Sequence, residues 1–324
     1  MNISSHDNEV ISEEGYVYSS YGSENYLKHA VASAITLKRY DKKRGVAIYC
    51  SEEHAEILKS NQLSEYFDVI GILKPEHQSI VGFKHNVHLY MPFKKVIILD
   101  SDIVWCRNPD PLWQAFSPYS YTITGTLISD NFFGAPKHVG FLMDVLFQRR
   151  KKTLRKFGLT YLSRVQSGII YVSDKNKASE VSSAATEFLI RKDETHFQSR
   201  KKEKGRSLES CEWSMAMALS KLDLPVYHWL QGQNCAQLDY VDNYTRHDAE
   251  FNDVQCTFYC DKFVYNLRGL KIRWLQRLLH AVVTLVPGKG DHMHVTPFCL
   301  HFGWMHQKQP FYDFADKTWE SLTK

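Results

Sequence analysis

The chain has 324 residues, 44% hydrophobic and 23% charged, which is ample material for one large domain or two ordinary ones. Its net charge of +4 suits a phosphorylated ligand or an acidic surface and, with acids nearly matching bases, speaks against nucleic acid. No apolar run reaches the roughly 18 residues of a membrane span, and the polar, acidic start MNISSHDNEVISEEG lacks a signal-peptide core.

Residues 1–15 are accordingly expected to be poorly ordered and the protein to be cytoplasmic, so the sequons at Asn2 and Asn243 carry no expectation of glycosylation. The seven cysteines are scattered. Only Cys256 and Cys260 lie close, with no second pair to complete a zinc site, which predicts reduced thiols.

From residue 16 the pattern alternates. YVYSS (16–20) predicts a strand. Leu27, Ala30, Val31, Ala34 and Ile35 then recur at helical spacing after a Ser23 cap. VAIY (46–49), a helix near 52–60, DVIGI (68–72), VIIL (96–99) and YTIT (121–124) continue the alternation, which predicts a mostly parallel sheet covered by helices. In such sheets ligands collect at the carboxyl ends of strands.

The middle changes character. Gly134, Pro136 and Gly140 precede the basic run RRKKTLRK (149–156), and RKKEKGR follows at 200–206. These runs read either as solvated surface or as a mobile flap facing anionic acceptors or lipid head groups. QSGIIYVS (166–173) predicts a further strand, and 178–190 and 209–221 predict helices. Residues 271–286 form an amphipathic helix, with Leu275, Leu278, Leu279, Val282, Val283 and Val286 on one face and Arg273 and Arg277 opposite. That face either packs on the body or associates shallowly with a membrane through Trp274 and its basic neighbours.

The sharpest local feature is VIILDSDIVW (96–105). Residues two apart in an extended chain point the same way, so Asp100 and Asp102 converge just past a buried strand. Two adjacent carboxylates repel unless a cation or proton neutralises them, and a divalent metal satisfies both. A haloacid-dehalogenase-type phosphatase would instead use Asp100 as nucleophile. It needs a later acidic motif, and the nearest match, Gly290-Asp291, has Val295 where the second acid should stand.

Five stretches in order, from about Val17 to Lys308, resemble the retaining glycosyltransferases of GT-A fold that include glycogenin and bacterial lipopolysaccharide galactosyl- and glucosyltransferases. They are SSYGSENYLKHAVASAITL, FKHNVHLYMPFKKVIILDSDIVW, RNPDPLW, QSGIIYVS and LHFGWMHQKQPF, with Lys84 sixteen residues before Asp100. The resemblance implies an α/β, Rossmann-like GT-A fold with a helical C-terminal extension. It divides a single domain over 16–324 into a nucleotide-binding half (16–130) and an acceptor half (131–324).

It further implies that Asp100, Asp102 and His301 bind Mn²⁺ or Mg²⁺, with Ser101 between the two acids. Tyr26 would stack on uracil, with Ser20 and Ser23 near the base or ribose. Lys84 and Lys308 would neutralise phosphate, and Gly303 would permit close backbone approach. Gln166 and Ser167 would face the donor sugar, with Glu212 near it. His292, His294 and His306 stay unassigned.

The activity so implied moves a hexose from UDP-glucose or UDP-galactose to a glycan, protein, lipid-linked or small-molecule acceptor, with peripheral attachment to an inner membrane face as an option. A catalytically silent nucleotide-binding relative is the non-enzymatic alternative. Three departures from the family pattern stand out: Gln166 for Asn, Glu212-Trp213 for Asp-Gln, and Lys308 seven residues after His301, separated from Pro310 by Gln309.

Overall fold

The computed structural model describes residues 12–129, 133–134, 139–197, 209–229, 234–267 and 270–323. The basic run at 200–206 and most of the N-terminal stretch lie outside them. The strands are β1 Ser12–Ser20, β2 Gly45–Cys50, β3 Val69–Ile72, β4 Phe93–Leu99, β5 Ile103–Trp105, β6 Tyr121–Thr126 and β7 Arg164–Val172. The later ones are β8 Tyr227–His228, β9 Gln237–Asp239, β10 Thr245–His247, β11 Val254–Tyr259, β12 His292–Val295 and β13 Cys299–His301. Helices α1 Glu24–Tyr40, α2 Glu52–Ser60, α3 Ile80–His85, α4 Asp110–Phe116, α5 Val139–Leu146 and α6 Arg149–Lys156 precede β7. They are followed by α7 Lys175–Ile190, α8 Cys211–Lys221, α9 Lys262–Leu267, α10 Arg273–Val283 and α11 Gln309–Leu322.

Seven strands form the central sheet in the order β3-β2-β1-β4-β7-β6-β8. The pairs β3–β2, β2–β1, β1–β4 and β6–β8 are parallel, and β7 alone runs against its neighbours β4 and β6. The fold is therefore the expected α/β architecture with a mostly parallel sheet flanked by helices. β4 explains why VIIL is apolar at every position: Val96 and Ile98 enter one core while Ile97 and Leu99 enter another on the opposite face.

Some boundaries differ from expectation. β1 starts at Ser12 because its polar leading residues continue the ladder with β4 from Ser12 opposite Phe93, a pairing that hydrophobicity does not register. Ser23 occupies the N-cap of α1, but its side chain makes no capping hydrogen bond. The stretch around 139–156 holds two helices, with the basic run on α6. The C-terminal extension is only partly helical: α11 packs on α1, and two additional three-stranded sheets, β10-β11-β12 and β5-β13-β9, stand before it.

α10 is also shorter than predicted, and its apolar arc is split. Leu275, Leu279 and Val283 are half-buried, whereas Leu278, Val282 and Val286 face solvent. All seven cysteines are free and six are buried, as reduced thiols require.

Candidate active site

The Asp-Ser-Asp turn joins two sheets. β4 ends at Leu99, and the Asp100 N–H still donates to Gly168 O of β7 at 3.0 Å. After the turn the chain resumes as β5, which leaves the large sheet and pairs antiparallel with β13, placing Ile103 opposite His301. β13 also pairs in parallel with β9, which sets His301 beside Asp239. Backbone bonds from Phe302 N to Asp102 O (3.0 Å) and from Tyr240 N to His301 O (2.8 Å) fix this junction. One ligand atom from each of Asp100, Asp102 and His301 thus lies within 4.8 Å of the others.

Cations flank the two acids. Lys84, buried in α3, reaches Asp100 Oδ1 at 2.6 Å and also donates to the backbone O and Oγ of Ser167 at 2.9 Å each. Lys308 donates to Asp102 Oδ2 at 2.5 Å. Burial opposes the charge on Lys84, but Asp100 outweighs it and lifts the pKa above the ordinary lysine value. Burial likewise favours a protonated Asp102, yet Lys308 and His301 hold its pKa well below the usual carboxylate range. Burial disfavours a charged His301, but Asp102 and Asp239 overcome that and raise its pKa to about 10.

His301 is oriented from behind. Its Nδ1 lies 2.9 Å from Asp239 Oδ1, and the same oxygen accepts from Gln166 Nε2 at 2.6 Å. Asp239 Oδ2 accepts from Trp304 Nε1 at 3.1 Å. A carboxylate at Nδ1 favours the proton there, so the Nε2 face is turned toward Asp100 (3.8 Å) and Asp102 (3.5 Å). Both distances are too long for strong hydrogen bonds.

Two carboxylates and an imidazole nitrogen facing one point, with the imidazole braced by a third carboxylate, form a donor set that fits a divalent ion such as Mn²⁺ or Mg²⁺. Asp239→Asn is expected to weaken Mn²⁺ binding about 10–100-fold, as loss of such a brace does at other metal sites. Titration calorimetry with Mn²⁺ reads this directly, and unchanged affinity would show that Asp239 does not brace the site.

The remaining predicted residues divide. Ser101 lies half-buried within the turn. Tyr26, in the first turn of α1, is 41% exposed and lies edge-on to His29, which stacks on Tyr312 of α11. Ser23 is exposed next to it. Glu212, in the first turn of α8, is half-buried and close enough to Lys84 to favour its charge.

Three of the expected residues have partners within the protein. Ser20 is buried with its hydroxyl 2.9 Å from His54 Nδ1 of α2. Ser167 is buried behind Asp100, with its hydroxyl taken by Lys84. Gly303 does serve close approach, but to His301: a Cβ there would meet the imidazole Cε1 at 2.6 Å. Gln166 contacts Asp239 and His301, which makes it part of the brace.

No family model and no curated protein matches this chain. Among solved structures it is similar to galactosyltransferase LgtC in complex with donor and acceptor sugar analogs, at 11% identity and TM-score 0.49, covering 94% of this chain and 95% of that one. It is also similar to the glycosyltransferase GlyE of Streptococcus pneumoniae TIGR4, at 11% identity and TM-score 0.49, covering 96% and 62%. A third is mouse xyloside xylosyltransferase 1 in its apo form, at 14% identity and TM-score 0.44, covering 72% and 88%. All three are glycosyltransferases. Likeness this distant settles no activity, which has to be read from the site.

Asp239 and Trp304 escaped the sequence reading. A lone Asp at the end of a three-residue strand carries no local signal, and only the pairing of β9 with β13 gives it a role.

Proposed function

We propose that this chain is a metal-dependent glycosyltransferase that moves a hexose, with retention, from a UDP-sugar to a glycan, protein or lipid-linked acceptor. The observation that supports it most is the convergence of Asp100, Asp102 and His301 between two lysines, since a departing nucleoside diphosphate needs the positive charge that a divalent ion held there would add. A divalent ion held by those three residues would supply electrostatic neutralisation of the leaving diphosphate.

The chain's own residues supply the rest. Lys84 and Lys308 offer ammonium groups beside the acids, and Tyr26 offers a ring for the base. Gln166 sits at the sheet edge next to His301, with Glu212 beyond Lys84. With so good a leaving group, no strong general acid is required, unlike the paired carboxylates of glycosidases. The phosphatase alternative asks for a later acidic motif, whereas its nearest match, Gly290-Asp291, leads into β12 in a different sheet.

The test is a thermal-shift panel of UDP-sugars with and without Mn²⁺. The donor should raise the melting temperature only when Mn²⁺ is present, by the amount ligand linkage gives: about 2.7 kcal/mol at a hundredfold excess over Kd. If no UDP-sugar shifts the transition with Mn²⁺ or Mg²⁺, the reading fails. Binding without turnover over a broad acceptor panel would point to the silent relative.

A further inference from the structure

α10 is mounted the wrong way round for a helix that belongs only to a soluble core. Its one buried residue is polar: Gln276 accepts from Asn243 at 2.9 Å and donates to Leu267 O at 3.2 Å. Arg277 donates to Asn243 Oδ1 at 3.0 and 3.1 Å, and Arg273 pairs with Asp242 at 3.2 Å. His280 rests against the rings of Tyr244 and Tyr259.

Beside the half-buried Leu275, Leu279 and Val283, a second set of apolar side chains looks outward. Trp274 is 67% exposed, Leu278 52%, Val282 56% and, just past the helix, Leu285 82%. The four-residue steps from 274 to 278 to 282 align them in one stripe. An amphipathic helix normally buries such a stripe in the core.

The helix segment itself is one-sided in charge. No acidic residue occurs between 270 and 290, while Lys271, Arg273, Arg277 and Lys289 do; of these, Arg273 pairs with Asp242 and Lys289 with Asp261. The same combination recurs at α5–α6. Leu142, Leu146 and Phe147 are at least half-exposed there, ahead of the six cations of RRKKTLRK, of which Arg149 pairs with the buried Asp144 and Lys156 with Glu194. A second copy docked on the α10 stripe would bring its own Arg273 and Arg277 toward like charges, and the cores of protein interfaces are poor in Lys. Exposed aliphatic and Trp side chains fringed by cations match the chemistry of an anionic lipid surface.

We infer that α10 lies in the plane of an anionic membrane. Trp274, Leu278, Val282 and Leu285 enter the acyl boundary, while Lys271, Arg273 and Arg277 sit at the headgroups. The inference does not depend on the catalytic reading.

Co-sedimentation of the full chain with phosphatidylglycerol-containing vesicles tests it, with pure phosphatidylcholine vesicles as the comparison. Binding is expected to the anionic vesicles at low salt and to fall as salt rises. The double variant Trp274→Ser/Leu278→Ser should lose about tenfold or more in affinity, since two inserted apolar side chains are removed. Both positions are exposed, so circular dichroism and the melting temperature should stay at wild-type values. No binding to anionic vesicles at low salt overturns the inference, as does binding that the double variant leaves unchanged. Self-association that Leu278→Ser abolishes, without vesicle binding, assigns the stripe to a second copy and also overturns it.

Discussion

Replacing Lys84 by Met should lower the unfolding free energy by about 2–4 kcal/mol, a little under the cost of orphaning a fully buried charge because Asp100 keeps some solvent contact. The substitution leaves Asp100 without its cation and removes the donor to Ser167 O and Oγ. It also leaves two carboxylates facing each other with Lys308 and His301 to offset them. Denaturant melts of the metal-free protein measure the loss.

Two controls separate a site effect from simple core damage. The double variant Lys84→Met/Asp100→Asn should recover part of the stability, because both members of the pair are then gone. Added Mn²⁺ should stabilise Lys84→Met more than wild type, since the ion takes over the neutralisation of Asp100. A destabilisation untouched by either control would mean that Lys84 acts through packing alone.

Asp102→Asn should remove Mn²⁺-dependent UDP-sugar stabilisation and lower Mn²⁺-dependent turnover by about 10²–10³-fold or more, the scale on which loss of one strong contact to developing charge acts. The substitution keeps the size of the side chain, and the bond from Phe302 N reaches the Asp102 backbone, so the β5–β13 junction survives. Lys308 loses its partner but remains near solvent. The chain should therefore fold, which circular dichroism checks. Wild-type turnover of a UDP-sugar by this variant in Mn²⁺ would remove the metal site from the mechanism.

What the sequence could disclose follows from the range of its signals. The buried strands were legible because β4 and β7 are apolar on both faces, and α1 because its core residues keep helical spacing. Asp100 and Asp102 announced themselves as charge at the end of such a strand. His301, one of fifteen histidines, carried no signal of its own and came into view only through the resemblance of the segment around it. Asp239 was invisible, because its role rests on a pairing between two three-residue strands far apart in the chain. The outward stripe of α10 was half legible: its apolar content is local, but which side meets the body is decided by Asn243, Asp242 and Leu267.

The small β5-β13-β9 sheet has a consequence for how the protein keeps its site intact. Asp102, His301 and the Asp239 brace sit on or next to strands of only three residues, while Asp100 is tied to β4 and β7, so few hydrogen bonds hold that half of the site compared with those that hold the central sheet. Local opening of β13 would separate His301 from the Asp pair while β1 to β4 stayed folded. A ligand that bridges Asp100, Asp102 and His301 spans that seam, so occupancy and the docking of the C-terminal segment become one equilibrium. The state that lacks such a ligand is then the one in which the C-terminal segment most readily lifts away.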